Sequence, residues 1–250
     1  MQRQGAFVRL KPYYSHRCPQ HSRKRSGFCF ANTIVLPYNP FMQQVLPITM
    51  QNVGEFFMKT DPVHAALVEL SRRLDEEGIE YPLIGGMALG YHGFVRVTQD
   101  IDLLLTKEGL QEFKEKLVRR GYVPLFPGAN KHFKDTAHGV NVKIITSGKY
   151  PGDGKPKEVL FPDPASVSQD IDGLKVVRLE TLIELKLASG LTAPHRIRDL
   201  ADVQQLIETL DLPEEMAARL KASVRAEFLR LWGATRAAKL DQSGRDKKRA

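Results

Sequence analysis

Asp100 and Asp102 stand one residue apart in the stretch VRVTQDIDLLL, residues 95–105, just ahead of three leucines. In an extended strand, residues two apart project to the same face. Two carboxylates on one face repel unless something positive lies between them. A divalent cation suits that place: Mg²⁺ takes an oxygen shell of one or two carboxylates completed by substrate phosphates. Phosphoryl and nucleotidyl transfer use such ions to orient the attacking oxygen and stabilise the leaving one. The same spacing also fits a strand end whose acids are solvated or bound to Arg and Lys.

Upstream lies Ile84-Gly85-Gly86-Met87, a strand running through a double glycine into a helix. Glycines let a backbone approach a ligand closely, and amides opening a helix face an anion. A triphosphate would fit there; so would a plain tight turn. With a strand spanning Arg96–Leu105, Arg96 and Thr98 share the parity of Asp100 and Asp102. Arg96 then either pairs with an acid or contacts a phosphate.

The elements that must position these residues are legible from spacing. Asp61-Pro62 is an N-cap followed by proline at the first helical position. Val63, Ala66, Leu67, Leu70 and Leu74 recur at helical spacing behind it. Tyr81–Ile84 reads as a short strand, Met87–Tyr91 as a short helix, and Leu110–Arg120 as a helix stopped by Gly121. Tyr122–Phe126 and Lys131–Asp135 read as extended, and Gly139–Ile145 as a period-2 strand. The Pro/Gly-rich run from Pro151 through Pro164 reads as a loop and a boundary. Residues 179–190, 195–210 and 213–232 read as helices. The expected class is α/β: a small mixed-sheet core over 58–150, a connecting region over 151–178 and a helical region over 179–238.

Composition sharpens the ends more than the middle. The chain of 250 residues carries 37 Lys/Arg and 29 Asp/Glu, a net charge of +8. Residues 1–50 hold seven of the basic residues and no acid, and residues 239–250 hold five basic and two acidic ones. Residues 51–238 therefore keep 25 basic and 27 acidic residues, a net of −2. A global electrostatic footprint for nucleic acid is absent from the expected core. Residues 1–57 read as a disordered extension: a transit peptide, a nucleic-acid-binding tail or, the favoured reading, translation upstream of a start at Met50 or Met58. Residues 239–250 read as a disordered basic tail. Both cysteines, Cys18 and Cys29, lie in the first segment. The rest needs no disulfide, which suits a reducing cytoplasm. His16, Cys18, His21 and Cys29 match no zinc spacing well. No apolar run is long enough to suggest a membrane span.

Taken together, Gly85-Gly86 and Asp100-x-Asp102 resemble the core motif of the nucleotidyltransferase superfamily typified by DNA polymerase beta. Arg96-x-Thr98-x-Asp100-x-Asp102 is similar to its small bacterial members, including the toxin-type enzymes of toxin–antitoxin and abortive-infection systems. Lys186, then Arg196-x-Arg198-Asp199 and Asp202, resembles the helical element that lines the nucleotide cleft there. The resemblance covers residues 62–210. It implies an enzyme that moves a nucleoside monophosphate from an NTP to a hydroxyl on RNA, protein or a small molecule, with Mg²⁺ or Mn²⁺ on Asp100 and Asp102. It further implies nucleotide contacts from Gly85, Gly86, Arg96, Thr98, Lys186, Arg196 and Arg198, and an antitoxin as partner. Read without it, Arg196, Arg198, Asp199 and Asp202 are helix-surface charges at i, i+3 and i+4.

One position departs from the pattern. The family has a third carboxylate on a neighbouring strand, and Val142-Lys143-Ile144 aligns there, so Lys143 occupies the acid's place. Asn141 has the same parity. An ammonium there would neutralise the aspartates and oppose a second cation. That leaves a two-acid catalyst, with Asp135 or Asp153 as candidate substitutes, beside a nucleotide-binding protein that has lost catalysis or a component acting through a protein partner.

Overall fold

The computed structural model describes Lys59 and residues 61–247. The readings on residues 1–58, including the four His and Cys positions and the alternative starts, lie outside the described residues. Helix α1, Pro62–Glu76, begins where expected: the Asp61 carboxylate accepts the Val63 N–H at 2.8 Å and Pro62 opens the first turn. Its buried stripe includes Val63, Ala66, Leu67, Leu70 and Leu74. Strand β1 is only Leu83–Ile84, and α2, Gly85–Tyr91, follows without a break. Then come β2 (Asp100–Leu105), α3 (Lys107–Lys116), β3 (Tyr122–Pro124), β4 (His132–Asp135) and β5 (Asn141–Thr146). The Thr106 hydroxyl caps α3 by accepting the Gly109 N–H at 2.8 Å.

The residues read as a connector hold structure of their own. After a one-turn helix α4 (Pro164–Val167) come β6 (Ser168–Ile171) and β7 (Leu174–Val177), turning through Asp172 and Gly173, both at positive φ. All seven strands form one mixed sheet in the order β3-β4-β5-β2-β1-β7-β6. β2 runs parallel to β5 and β1 parallel to β7, and the other pairings are antiparallel. The fold is α/β with C-terminal helices: α5 (Leu179–Thr192), a 3₁₀ turn at Pro194–Arg196, α6 (Ile197–Thr209), α7 (Met216–Arg219) and α8 (Ala222–Lys247).

Other expected elements change too, and the helix expected over Leu110–Arg120 runs instead over Lys107–Lys116. The strand expected from Arg96 starts only at Asp100, so Arg96 and Thr98 do not share strand parity with the aspartates. The helix expected over 213–232 breaks at Leu220-Lys221, where Leu220 is extended. Helix α8 then runs to Lys247, through most of the tail expected to be disordered. Among the described residues no helix is long and apolar enough to cross a membrane.

The sheet buries one face and opens the other on its β3–β5 side. Tyr122, Phe133, Val142 and Ile144 point inward. The Phe113 ring of α3 packs 5.5 Å from Tyr122 and 4.9 Å from Phe133 between centroids. Val123, His132, Lys134, Asn141 and Lys143 alternate with them and reach the surface. Strand pleat makes this division unavoidable once the apolar set is buried.

Candidate active site

Asp102 is held between two strands. On one side β1 pairs Ile84 with it; on the other, β5 places Lys143 directly opposite. Asp100 is likewise opposite Asn141, whose Nδ2 donates to the Asp100 carboxylate at 3.1 Å. Gly85 has φ +70°, and a Cβ there would fall 2.2 Å from Asp102 Oδ2. This position demands glycine twice over, for its left-handed backbone and for the carboxylate lying against it. Gly86 is crowded from the other direction: a Cβ would lie 3.0 Å from Thr98 Oγ1 and 3.3 Å from an Arg96 guanidinium nitrogen. Although residues 94–98 are not a strand, they fold back so that both predicted side chains meet the glycine turn.

Burial pushes the Asp102 carboxyl above the usual carboxylate range. The Lys143 ammonium opposes that rise, the Asp100 charge adds to it, and Lys186 and Arg196 oppose it more weakly. The acid is thus short of positive charge despite Lys143 in register beside it. It opens into a cleft whose wall also includes Gly85, Gly86, Lys143, Lys186 and Arg196.

Part of that wall is an ion network. Arg96 forks onto Asp202, with Nε to Oδ1 at 3.0 Å and a terminal nitrogen to Oδ2 at 3.3 Å. Lys186 Nζ donates to Asp202 Oδ2 at 2.7 Å and to Asp199 Oδ1 at 3.0 Å. Arg196 Nε stands 3.9 Å from Asp199 Oδ2. The Lys186 and Asp202 side chains are 7% and 4% exposed, so their charges are held by each other and not by water. Asp199 stays ionised: burial works to raise its carboxyl, and the Lys186 ammonium, with smaller contributions from Ser189, Arg196 and the bond to Lys186, carries it below the usual range.

The structure therefore brings Gly85, Gly86, Arg96, Asp102, Lys143, Lys186 and Arg196 onto one cleft; Thr98 reaches it only through Gly86, Asp100 is exposed beside it on Asn141, and Arg198 is left out. Arg198 is exposed on α6 and does not line the cleft. Neither candidate third acid reaches the site. Asp135 is consumed by its own turn, accepting from the Ala137 and His138 N–H groups and from His138 Nδ1 at 2.6 Å. Asp153 pairs with Lys157 and the Lys155 N–H. Among the described residues no cluster of three or more His, Cys, Asp or Glu could hold a metal. The carboxylates of Asp100 and Asp102 are oxygen donors of the type Mg²⁺ takes when phosphate oxygens complete its shell; the ammonium of Lys143, in register beside Asp102, would oppose a second cation. Sequence reading missed Leu182, Leu185 and Ser189 as lining residues. Their signal was spacing: with Lys186 they fall at i−4, i−1 and i+3 of one helix.

No family model matches the chain, and no curated protein does. Among solved structures it is similar to ANT(2″)-Ia in complex with adenylyl-2″-tobramycin, at 15% identity over 67% of this chain and 95% of that one, with a TM-score of 0.43. It is similar to JHP933 from Helicobacter pylori at 16% identity over 80% and 98% of the two chains, with a TM-score of 0.40. An antigenic nucleotidyltransferase-like protein from Paracoccidioides brasiliensis overlaps 57% of this chain and 74% of its own at 16% identity, with a TM-score of 0.38. At such scores the likeness carries no argument about chemistry, which rests on the cleft itself.

Proposed function

We propose that the cleft binds a nucleoside triphosphate and transfers its nucleoside monophosphate to a hydroxyl acceptor, with pyrophosphate leaving. The observation that carries this reading is Asp102 set against Gly85 in a cleft that also presents Gly86, Lys143 and Arg196, with Asp100 two residues before it on the same strand. Asp100 and Asp102 would hold Mg²⁺ or Mn²⁺, which when bound orients the attacking oxygen and stabilises the leaving one. Lys143 offsets the Asp102 charge and meets a phosphate oxygen. Arg196, exposed at the mouth, meets another. Arg96 and Lys186 hold the wall through Asp199 and Asp202 and do not need to leave them. With no third carboxylate on β5, the acceptor hydroxyl loses its proton to water.

Lys143 also favours a second reading, a nucleotide site without turnover, because its ammonium stands where the resembling family activates the nucleophile. The two are separated by incubating the chain with a panel of labelled NTPs, Mg²⁺ or Mn²⁺ and total RNA, alongside calorimetry of NTP binding. Transfer that disappears in Asp100→Ala establishes the first. Binding with no transfer to any acceptor establishes the second, and absence of NTP binding overturns both.

A further inference from the structure

The strand register carries the site outward across the open face of the sheet. Asp100 lies opposite Asn141, Asn141 opposite Lys134, and Lys134 opposite Val123. One step along, Asp102 lies opposite Lys143 and Lys143 opposite His132. The Leu125 N–H continues that row by donating to the His132 carbonyl at 2.9 Å. Directly opposed residues share a face, so both rows run from the aspartates to the β3 edge. Neighbouring strands are about 4.8 Å apart, and each row therefore spans about 14 Å. Beyond its end stands Phe126, 53% exposed, its ring centroid 6.1 Å from that of His132.

The composition of this strip is one-sided. From β5 to β3 it shows Lys143, Lys134 and His132, then apolar side chains, and no carboxylate: Asp135 points to the buried face. This is local positive charge in a part of the chain whose net charge is slightly negative, followed by an exposed aromatic ring. Cations that track a phosphate backbone and an aromatic ring on which a base stacks are the two components of single-strand recognition.

We infer that the β5–β4–β3 face binds the end of a single-stranded polynucleotide, with a phosphate on Lys134, a base on Phe126, and the terminal hydroxyl directed past Lys143 at Asp100 and Asp102. Only the direction of the strand end rests on the proposed transfer activity; the binding face stands on register, charge and exposure. A duplex fits poorly, because its bases are stacked on each other and unavailable to Phe126.

The test is fluorescence anisotropy of a labelled single strand of about ten nucleotides, in RNA and DNA forms, titrated with the full chain carrying Asp100→Ala and no NTP. Phe126→Ala is expected to weaken binding at least fivefold. Lys134→Gln is expected to weaken it and to lower the salt slope, log K against log salt, by about 0.7, one phosphate contact. Lys134→Arg keeps both, which separates charge from folding, and unchanged melting temperatures check that each variant is folded. Inorganic polyphosphate, which lacks bases, is expected to compete poorly. Single-strand binding that ignores Phe126→Ala and Lys134→Gln, or that polyphosphate displaces equally well, overturns the inference. Transfer to a small-molecule hydroxyl with no oligonucleotide binding overturns this inference alone. Strip-dependent binding with no transfer leaves it standing and removes the catalytic reading.

Discussion

One side chain decides whether the cleft is a catalyst. Lys143 lies opposite Asp102 in the parallel β2–β5 pair, and its identity sets how much positive charge the acids already have. Lys143→Asp would place a third carboxylate on that strand. If the wild type binds nucleotide without turning it over, the variant is expected to gain Mg²⁺-dependent transfer in a labelled-NTP assay. If the wild type is active, Lys143→Ala is expected to lower NTP affinity by about tenfold, the loss of one charge-assisted phosphate contact. An unchanged dissociation constant by calorimetry would show that Lys143 does not touch the nucleotide. Gly85→Ala bears on the acid pair without removing a charge. It puts an L side chain at φ +70° and a methyl group into the Asp102 carboxylate. We expect a loss of roughly 1–3 kcal/mol in a denaturant titration, and loss of NTP binding with it because the carboxylate must move. The acids, the glycines and the lysine were all legible in the sequence, since motif and strand period are local. The partners of Lys186 and Arg96 were not. Asp202 reads as a helix-surface charge at i+4 from Arg198, yet it faces Arg96, 106 residues away. Nothing in a one-dimensional charge pattern separates a solvated pair from a buried one.

At the scale of elements, that network is what fixes α5 and α6 against the segment before β2. Lys186 belongs to α5, Asp199 and Asp202 to α6, and Arg96 to the turn that packs on Gly86. Removing one partner of a buried pair leaves the other uncompensated, at a cost of about 3–5 kcal/mol. Asp202→Asn is therefore expected to lower stability by that order while leaving Asp100 and Asp102 in place. A shift under 1 kcal/mol in chemical denaturation would mean the pair is far better solvated than its geometry implies. A second link ties α2 to the sheet. His92, the residue that ends α2, bonds through Nε2 to the Val177 carbonyl of β7 at 2.7 Å. A carbonyl only accepts, so Nε2 carries the proton. Burial holds the imidazole below its ordinary value of 6.5, against smaller opposing effects of the Val177 carbonyl and Glu180. The unfolded chain then takes up the proton first as pH falls. This contribution to stability is intact above the unfolded pKa, declines as pH drops through it, and levels off below the folded pKa. His92→Gln keeps a donor for Val177 and cannot titrate. Melting curves across pH 5–8 should therefore fall more steeply below about pH 6.5 for the wild type than for the variant. Parallel curves would remove His92 from the account. The β6–β7 hairpin that this link anchors falls in the stretch whose sequence reads as a connector, because Ser168–Ile171 lacks a clear period. Its burial is uneven, with all four residues partly or fully exposed on an edge strand, and alternation is weakest where neither face is fully covered.

For the whole molecule, the question is whether the sheet and the C-terminal helices fold as one unit. The readings over 58–150 and 179–238 place them in separate regions, but a single apolar cluster runs through both. It includes Leu70 of α1, Leu103 of β2, Val176 of β7, Ile183 of α5, Leu206 of α6 and Phe228 of α8. The described residues also fall within one compact unit. A shared core gives no interior plane along which the two regions separate without exposing apolar surface, so they should unfold together. The chain supplies its own reporter: its one tryptophan, Trp232, sits on α8 and donates through Nε1 to the Leu212 carbonyl at 2.9 Å. Its fluorescence follows the helical region alone, whereas far-UV circular dichroism follows sheet and helices together. In a guanidinium titration the two transitions should coincide in midpoint and slope. Phe228→Ala, at a fully buried position, should shift both to lower denaturant by the same amount, a loss of about 3–5 kcal/mol. If the Trp232 transition moves in that variant while the remaining circular dichroism signal keeps its midpoint, the helices are an independent domain. The wall formed by Lys186 and Arg196 would then be free to leave Asp102, and the cleft would have to be treated as two halves that meet on the nucleotide.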